Sequence, residues 1–278
     1  MPFGPVDVYK KLPKTNCGEC DYPSCLAFAT QVVGFGYDVA KCPHLGPRGR
    51  EELGEIITAQ REKGIFVKRP SHQITREHLQ EKITRCDFAA TAPGLGAEYV
   101  RNGEVEILRV LYFGRWIGVS RMGLRADDGE DLDPWDQILV YNYIASSGST
   151  PVRGRWVGLE SFPNSLPKKT ALEEGCYRRI AEAFAGARSL LEEACLGAGG
   201  SRVEKGHNAD LAYEIQALPR IPLLVLFWDE DREEGFKAES KILFDGTAMA
   251  YLDLEGLVFV AEKLTDRLIS QRKEKGNV

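Results

Sequence analysis

Four of the seven cysteines lie in the stretch Cys17-Gly18-Glu19-Cys20-Asp21-Tyr22-Pro23-Ser24-Cys25 and, after a spacer of sixteen residues, in Cys42-Pro43. Cys17 and Cys20 flank a glycine, and glycine adopts the positive-φ turns that fold a loop over a compact metal centre. Cys25 stands at the predicted start of a helix, where the helix dipole stabilises an anionic sulfur. The spacing C-x2-C-x4-C-x16-C therefore predicts one loop that delivers four thiolates to a single site.

Three kinds of site use cysteines in this way, and the spacing favours an iron-sulfur cluster. Such clusters are held by Cys thiolates, often as a tight run followed by a distant Cys-Pro. A zinc site is the second alternative, but structural zinc sites usually pair C-x2-C with a second such pair or with histidines. His44 follows Cys42 too closely to replace a ligand comfortably. A disulfide framework fits worst, because such frameworks belong to small secreted chains and no signal peptide is visible.

Two segments of the sequence resemble a known family. They are residues 12–29, which begin Leu12-Pro13-Lys14-Thr15-Asn16 and continue through the first three cysteines, and Lys41-Cys42-Pro43-His44-Leu45. They resemble the 4Fe-4S module at the N-terminus of the large subunit of the corrinoid iron-sulfur protein, and a similar module occurs in the B subunit of the Rnf-type electron-transport complex. The resemblance covers residues 5–47. It implies that the four cysteines ligate a 4Fe-4S cluster, namely Cys17, Cys20, Cys25 and Cys42. In that family the cluster supplies the electron that re-reduces an oxidised corrinoid.

Composition and charge indicate which classes of protein the sequence fits. The chain has 278 residues, of which 43% are hydrophobic and 28% charged, and its formal net charge is −5. This composition is typical of a soluble globular protein, and no apolar run approaches the roughly 18–20 residues that a membrane helix needs. We therefore expect no membrane insertion, and the acidic balance does not favour nucleic-acid binding. Clustered ligands with three scattered thiols predict the reducing cytoplasm as the location.

The length fits a small module followed by a larger domain. We predict a 4Fe-4S cluster module with a linking helix in residues 1–70, and an α+β domain of unknown function in residues 71–278. Apolar residues at helical spacing place the linking helix at about residues 48–63. Predicted hairpins at 105–119 and 211–228, with helices between and after them, indicate a mixed helix and antiparallel-sheet domain and not a doubly wound sheet.

Several features of the larger domain suggest a ligand but are better explained structurally. Pro93-Gly94-Leu95-Gly96 lacks the preceding strand and the third glycine of a phosphate-binding loop, and predicts a turn. The acidic segment 127–133 lacks the alternating ligands of a calcium loop, and is expected to cap the helix that follows it. One long helix over residues 171–196 is expected to carry Cys176 and Cys195, which cannot meet each other within it. Cys86 lies on the apolar side of a helix predicted from residue 74 and is expected to be a buried structural thiol and not a fifth ligand.

The larger domain is also similar, as a whole, to an uncharacterised domain family that commonly follows four-cysteine modules of this kind. Residues 133–143, 154–157 and 221–229 carry that similarity. It implies no activity, so the functional expectation depends on the cluster.

A cluster with four thiolate ligands has no open iron site for Lewis-acid chemistry, so we expect electron transfer. The first hypothesis is an electron-transfer protein that serves a redox partner, either a ferredoxin or a corrinoid methyl-transfer protein that it keeps reduced. The second is an iron-sulfur enzyme with its active site in the larger domain, although no nucleophile-base pair, metal triad or dinucleotide motif is visible. The third is an assembly or interaction factor whose fold the metal stabilises. The chain lacks the Asp-x-His-x-x-Gly corrinoid signature, so a corrinoid would belong to a separate partner.

Overall fold

A computed structural model of the chain describes residues 3–62 and 71–275. Its contacts divide the chain into two units, Met1–Ile74 and Thr75–Val278. The predicted boundary at residue 70 lies outside the described residues. Each unit has its own set of buried apolar side chains, and we call the first unit the N-terminal module and the second the larger domain.

Three helices and one turn of 3-10 helix build the N-terminal module. These are α1 (Pro5–Lys11), α2 (Cys25–Phe35), the 3-10 turn Val39–Lys41 and α3 (Pro47–Glu62). Leu53 and Ile57, four residues apart on one face of α3, are buried in the same core as Phe28 of α2. Residues at this spacing lie on one side of a helix, so packing of that side stabilises α3. The helix predicted to link the two domains is therefore an integral part of the module.

The bounds of α2 follow from its capping residues. The Ser24 hydroxyl accepts a hydrogen bond from the Ala27 N–H at 3.1 Å, which satisfies one of the free donors in the first turn. Gly36 ends the helix with a left-handed conformation, φ 73°. Edge-to-face contacts of Tyr37 with Phe28 and with Tyr22 then hold the chain against the helix, with ring centroids 5.9 and 5.2 Å apart.

The larger domain consists of helices and two antiparallel sheets. The helices are α4 (Ser71–Thr84), α5 (Phe88–Leu95), α6 (Pro134–Ala145), α7 (Leu166–Leu172), α8 (Arg178–Phe184), α9 (Arg188–Gly197) and α10 (Leu254–Lys275). The strands are β1 (Glu98–Asn102), β2 (Val105–Tyr112), β3 (Arg115–Ser120), β4 (Gly123–Ala126), β5 (Trp156–Val157), β6 (Ser201–Arg202), β7 (Leu211–Leu218), β8 (Ile221–Trp228) and β9 (Glu239–Asp245). This architecture confirms the predicted α+β class.

The first sheet is a four-stranded meander in the order β1-β2-β3-β4. Its central hairpin pairs Tyr112 with Arg115. The two turn residues between them, Phe113 and Gly114, have φ values of 44° and 77°. Two successive positive φ angles match the twist of a tight antiparallel hairpin. The predicted hairpin at 105–119 is confirmed.

The second sheet has the order β5-β9-β8-β7-β6, and the hairpin predicted at 211–228 forms its centre. β8 is buried on both faces: Val225 and Phe227 join the main core, whereas Leu224 and Leu226 form a smaller cluster with Ala212. Burial on both faces explains why this strand is apolar along its whole length. Among the described residues, no helix has the length and apolar character required to cross a membrane.

The prediction of one helix over residues 171–196 is wrong. After α7, the chain makes one π-helical turn at Glu173–Tyr177, continues as α8, and breaks before α9 begins. Gly186 adopts φ 66° in the break and donates its N–H to the Asp229 carboxylate at 2.7 Å. Cys176 and Cys195 are both buried, and burial raises the pKa of each thiol to about 12. Both belong to the core of the larger domain, whereas Cys86, predicted to be buried, is only half-buried.

The turn predicted at residues 93–96 is instead the last turn of α5 with its cap. Gly96 ends the helix at φ 64°. The Arg220 guanidinium donates to the carbonyls of Pro93 and Gly94, both at 3.1 Å, so a cation occupies the carbonyl end of the helix. A Cβ on Gly94 would lie 2.6 Å from the Gly148 carbonyl oxygen. Close packing of two backbones therefore explains the glycine here.

The acidic segment 127–133 acts as predicted. The Asp133 carboxylate accepts a hydrogen bond from the Trp135 N–H at 2.9 Å and so caps α6. The Asp128 carboxylate accepts hydrogen bonds from Nε and Nη2 of Arg115, at 2.8 and 2.9 Å. Capping and ion pairing account for these carboxylates.

Candidate metal centre

The four predicted ligands lie at the start of α2 and in the loops on either side of it. Cys20, Cys25 and Cys42 are buried, with 6%, 7% and 5% of their surface exposed. Cys17 is exposed. None of the seven cysteines, all of which fall within the described residues, forms a disulfide. Four free thiols in one small module are a donor set suited to a soft metal centre and not to a disulfide framework.

The backbone of the ligand loop curls through four left-handed residues. Lys14, Asn16, Gly18 and Asp21 have φ values of 63°, 50°, 78° and 66°. Where left-handed and right-handed residues alternate, successive backbone N–H groups point to the same side and form a concave surface. Concave surfaces of this kind bind anions at many phosphate and iron-sulfur sites. The local backbone is therefore built to face negative charge.

Asn16 joins this loop to the first residue of α2. Its side-chain carbonyl accepts the Cys25 N–H at 2.8 Å, and its own N–H points to the Cys25 sulfur at 3.4 Å. The two bonds hold the Cys25 sulfur at the positive end of the helix dipole, where a thiolate is stabilised.

Burial is the main influence on the Cys20 thiol. It raises the pKa of that thiol, the N–H groups of Tyr22 and of Cys20 itself oppose the effect, and negative charge on Cys42 and Cys17 raises the pKa further. Negative charge on one of these sulfurs thus disfavours ionisation of Cys20. A bound cation would remove that effect, because metals bind the thiolate form.

Arg50, on the first turn of α3, contacts the backbone of the fourth predicted ligand. Its Nη2 donates to the Cys42 carbonyl at 3.0 Å and to the Pro43 carbonyl at 3.2 Å. Its Nε is shielded from solvent and finds no hydrogen-bond acceptor in the described part of the chain. An unsatisfied buried donor beside a ligand fits a site that receives a further, anionic group.

His44 lies at the exposed side of Cys17. Its Nε2 is 3.0 Å from the Glu19 carboxylate. The Cys17 sulfur, a Glu19 oxygen and a His44 ring nitrogen all lie within 4.8 Å of one another. The sequence argument set His44 aside because it follows Cys42 closely, yet the returning loop brings it to the opposite end of the ligand stretch.

Sequence reasoning missed two residues of this site. Arg50 could not be distinguished from Arg48, because both are basic residues in the first turn of the same helix. Asn16 did carry a signal, since it directly precedes the first cysteine and Asn tolerates the left-handed conformation. His44 was considered only as a replacement ligand and not as a neighbour of Cys17.

Comparison with known proteins separates the two parts of the chain. A family model described as "Domain of unknown function (DUF3786)" matches residues 87–267, more than half of the chain. A second model, described as "Putative Fe-S cluster", matches residues 12–44, the segment that holds all four predicted ligands. These matches confirm the predicted succession of an iron-sulfur module and an uncharacterised domain.

Two curated relatives illustrate the similarity of the N-terminal segment to known proteins. This segment is 43% identical over 53 residues to the corrinoid/iron-sulfur protein large subunit of Moorella thermoacetica, covering 19% of this chain and 12% of that protein. It is 52% identical over 53 residues to the acetyl-CoA decarbonylase/synthase complex subunit gamma of Methanocaldococcus jannaschii, covering 19% of this chain and 11% of that subunit. The chain thus spans only 11–12% of the length of these relatives. No solved structure matches the chain.

Proposed function

This chain belongs to the family described as "Domain of unknown function (DUF3786)", and because that description states no activity, we propose a function from the N-terminal module. The protein is a 4Fe-4S electron-transfer protein in which Cys17, Cys20, Cys25 and Cys42 hold the cluster. It exchanges single electrons with a partner redox protein.

The presence of four free thiols in one small module, at the start of α2 and in the loops on either side of it, supports this proposal. Three are buried and one is exposed. Thiolate sets of this size suit iron-sulfur clusters, and N–H groups near the sulfurs are among the features that set the potential of a cluster. When bound, a cluster with four thiolate ligands supplies one-electron chemistry and offers no open iron site.

The side chains of the module have distinct roles in this proposal. Asn16 orients the Cys25 sulfur, Arg50 holds the backbone at Cys42, and burial of Cys20, Cys25 and Cys42 keeps water from three of the ligands. The exposed Cys17 marks the side from which a partner approaches, because the path for an electron is shortest where a ligand reaches the surface.

The partner is proposed from the relatives. Their printed names place them in the corrinoid/iron-sulfur protein and in the acetyl-CoA decarbonylase/synthase complex. We propose a corrinoid methyl-transfer protein as the electron acceptor and a ferredoxin as the donor. In this exchange the donor loses one electron, the corrinoid cobalt gains it, and no bond of this chain is formed or broken.

Two alternatives each have one observation in their favour. A structural zinc site that stabilises the N-terminal module is favoured by the proximity of Cys17, Glu19 and His44, since Cys, His and carboxylate groups all bind zinc. An iron-sulfur enzyme is favoured by a groove of about 600 Å³ lined in part by Tyr177 and Ser240. Tyr177 ends the π-helical turn, and such turns are frequent at functional sites.

Iron and sulfide analysis of protein purified without oxygen tests the proposal, together with EPR after reduction with dithionite. We expect ~4 iron and ~4 sulfide per chain and a signal from a reduced cluster. Cys25→Ser should lose most of the iron, whereas Cys195→Ser, which removes a buried thiol of the larger domain, should keep it. One zinc per chain without sulfide would refute the proposal.

Electron exchange with purified partners tests the second half of the proposal. The reduced protein is mixed with an oxidised corrinoid protein, and the absorption of the cobalt centre is followed. Turnover of a substrate by the cluster-loaded chain alone would instead favour the enzyme alternative.

A further inference from the structure

Arg50 is a cation without an anionic partner beside the fourth predicted ligand. Its two hydrogen bonds go to backbone carbonyls, those of Cys42 and Pro43. Across the described residues, no carboxylate forms an ion pair with it, and its buried Nε has no acceptor. A guanidinium is always charged, and a buried charged donor left unsatisfied is costly. The Arg50 Nε is therefore an unfavourable group unless a further acceptor binds beside it.

The position of Arg50 relative to Cys42 is fixed by packing. Leu45, between Cys42 and α3, is buried. It packs so closely on Gly49 that a Cβ at position 49 would lie 2.9 Å from a Leu45 methyl carbon. Leu53, one turn further along α3, is fully buried in the module core. Packing of these residues thus fixes the first turn of α3, from which the Arg50 side chain extends to the Cys42 and Pro43 carbonyls.

The neighbouring Arg48 provides a natural comparison. It lies in the same turn of α3 with the same charge, but it is exposed. Charge alone therefore does not distinguish the two arginines. Two features distinguish Arg50 from Arg48: its contact with the Cys42 backbone, and its buried Nε without an acceptor.

We propose, resting on the cluster function above, that Arg50 is a positioning residue that also sets the redox equilibrium of the centre. Its Nη2 holds the loop that carries Cys42. Its Nε, which has no acceptor among the described residues, would be available to donate a hydrogen bond to a sulfur of a bound centre. Four thiolates around an iron-sulfide core carry net negative charge, and reduction adds one more electron. A cationic donor beside the centre would therefore stabilise the reduced form more than the oxidised form.

The test compares Arg50→Gln and Arg50→Lys with Arg48→Gln in the full-length, cluster-loaded chain. The primary measurement is the midpoint potential, from an EPR-monitored redox titration without oxygen. We expect Arg50→Gln to lower the equilibrium constant for one-electron reduction at least tenfold, which is about 59 mV. Arg50→Lys, which keeps the charge but not the planar donor, should lie between Arg50→Gln and the wild type. Arg48→Gln should match the wild type.

A second measurement separates tuning from simple structural support. The rate of iron loss to a chelator reports how firmly the Cys42 loop is held, and thermal unfolding of the iron-free chain reports the fold itself. Both Arg50 variants should lose iron faster than Arg48→Gln. Faster iron loss with an unchanged potential would overturn the proposal, and so would an equal change of potential in Arg48→Gln and Arg50→Gln.

The outcomes also distinguish this inference from the proposed function. A wild-type chain that holds no iron-sulfur cluster refutes both. A wild-type chain with a reducible 4Fe-4S cluster, whose potential is the same in all three variants, supports the function and refutes the role of Arg50.

Discussion

Replacing Asp245 with asparagine is expected to lower the free energy of unfolding of the larger domain by about 3–6 kcal/mol. Asp245 is fully buried at the end of β9. One carboxylate oxygen accepts the N–H groups of Arg153 and Arg155, at 3.1 and 3.2 Å. The other accepts the N–H and the hydroxyl of Thr247, at 2.9 and 2.5 Å. The carboxylate thereby ties the chain before β5 to the turn that follows β9.

The magnitude follows from these four hydrogen bonds. An asparagine side chain must point its NH2 group at one pair of donors, so two bonds to a charged acceptor are lost. Hydrogen bonds to charged groups contribute roughly 1.5–3 kcal/mol each. For a domain of this size, the expected loss corresponds to a decrease of roughly 6–24 °C in Tm.

The effect depends on pH. Burial alone would raise the pKa of Asp245, but the hydrogen bonds from Thr247 and the backbone outweigh burial and leave the pKa below its usual value. A carboxyl group whose pKa is lower in the folded state stabilises the fold above its unfolded pKa, about 3.9. That contribution is lost as the pH falls through the lower, folded pKa. The difference between wild type and Asp245→Asn should therefore be largest at neutral pH and shrink in acid.

Urea unfolding of the iron-free chain, followed by tryptophan fluorescence, measures this difference. All four tryptophans lie in the larger domain, so the signal reports its unfolding alone. Asp127→Asn is the matched control, because Asp127 is half-exposed and pairs with Arg109 at the surface of the first sheet. Equal stabilities of the two variants at pH 7, or a difference that persists unchanged below pH 3, would refute the reasoning.

Three further outcomes test the centre and the packing of the larger domain. In the iron-free chain, Cys17 should react first with a thiol reagent because it is exposed. Loading with iron and sulfide should protect it, and mass spectrometry that finds equal labelling in both forms would contradict its role as a ligand. Cys176 and Cys195 should remain unlabelled at neutral pH until the chain is unfolded, because burial raises the pKa of each thiol to about 12. Rapid labelling of these two thiols in the folded chain would contradict their burial. Gly148→Ala should lower the urea midpoint, because its Cβ would lie 2.7 Å from the Tyr251 ring, and an unchanged midpoint would show that the contact relaxes without cost.

Features set by neighbours in the chain could be predicted from the sequence. The hairpin at Phe113 and Gly114 follows from two short runs of strand-forming residues around a turn. The start of α2 follows from Ser24, whose side chain caps the helix within three residues. The spacing of the four cysteines likewise predicted an iron-sulfur module, which the matching family model confirms.

Features set by distant residues could not be predicted. The break between α8 and α9 lies in an alanine-rich segment that favours a helix, and it depends on a hydrogen bond from Gly186 to Asp229, 43 residues later. The end of α5 depends on Arg220, which lies 126 residues beyond Gly94. In the metal centre, only the fold shows that Arg50 and not Arg48 contacts Cys42. Local propensity carries no information about such partners.

The core of the N-terminal module has a consequence for how such proteins arise. Val8, Phe28 and Leu53 come from its three helices and cover one another within a single small cluster. A segment that satisfies its own packing can be moved by gene fusion onto unrelated polypeptides without redesign of either. The same module can then be joined to different proteins, and its ancestry need not match the ancestry of the domain it is joined to.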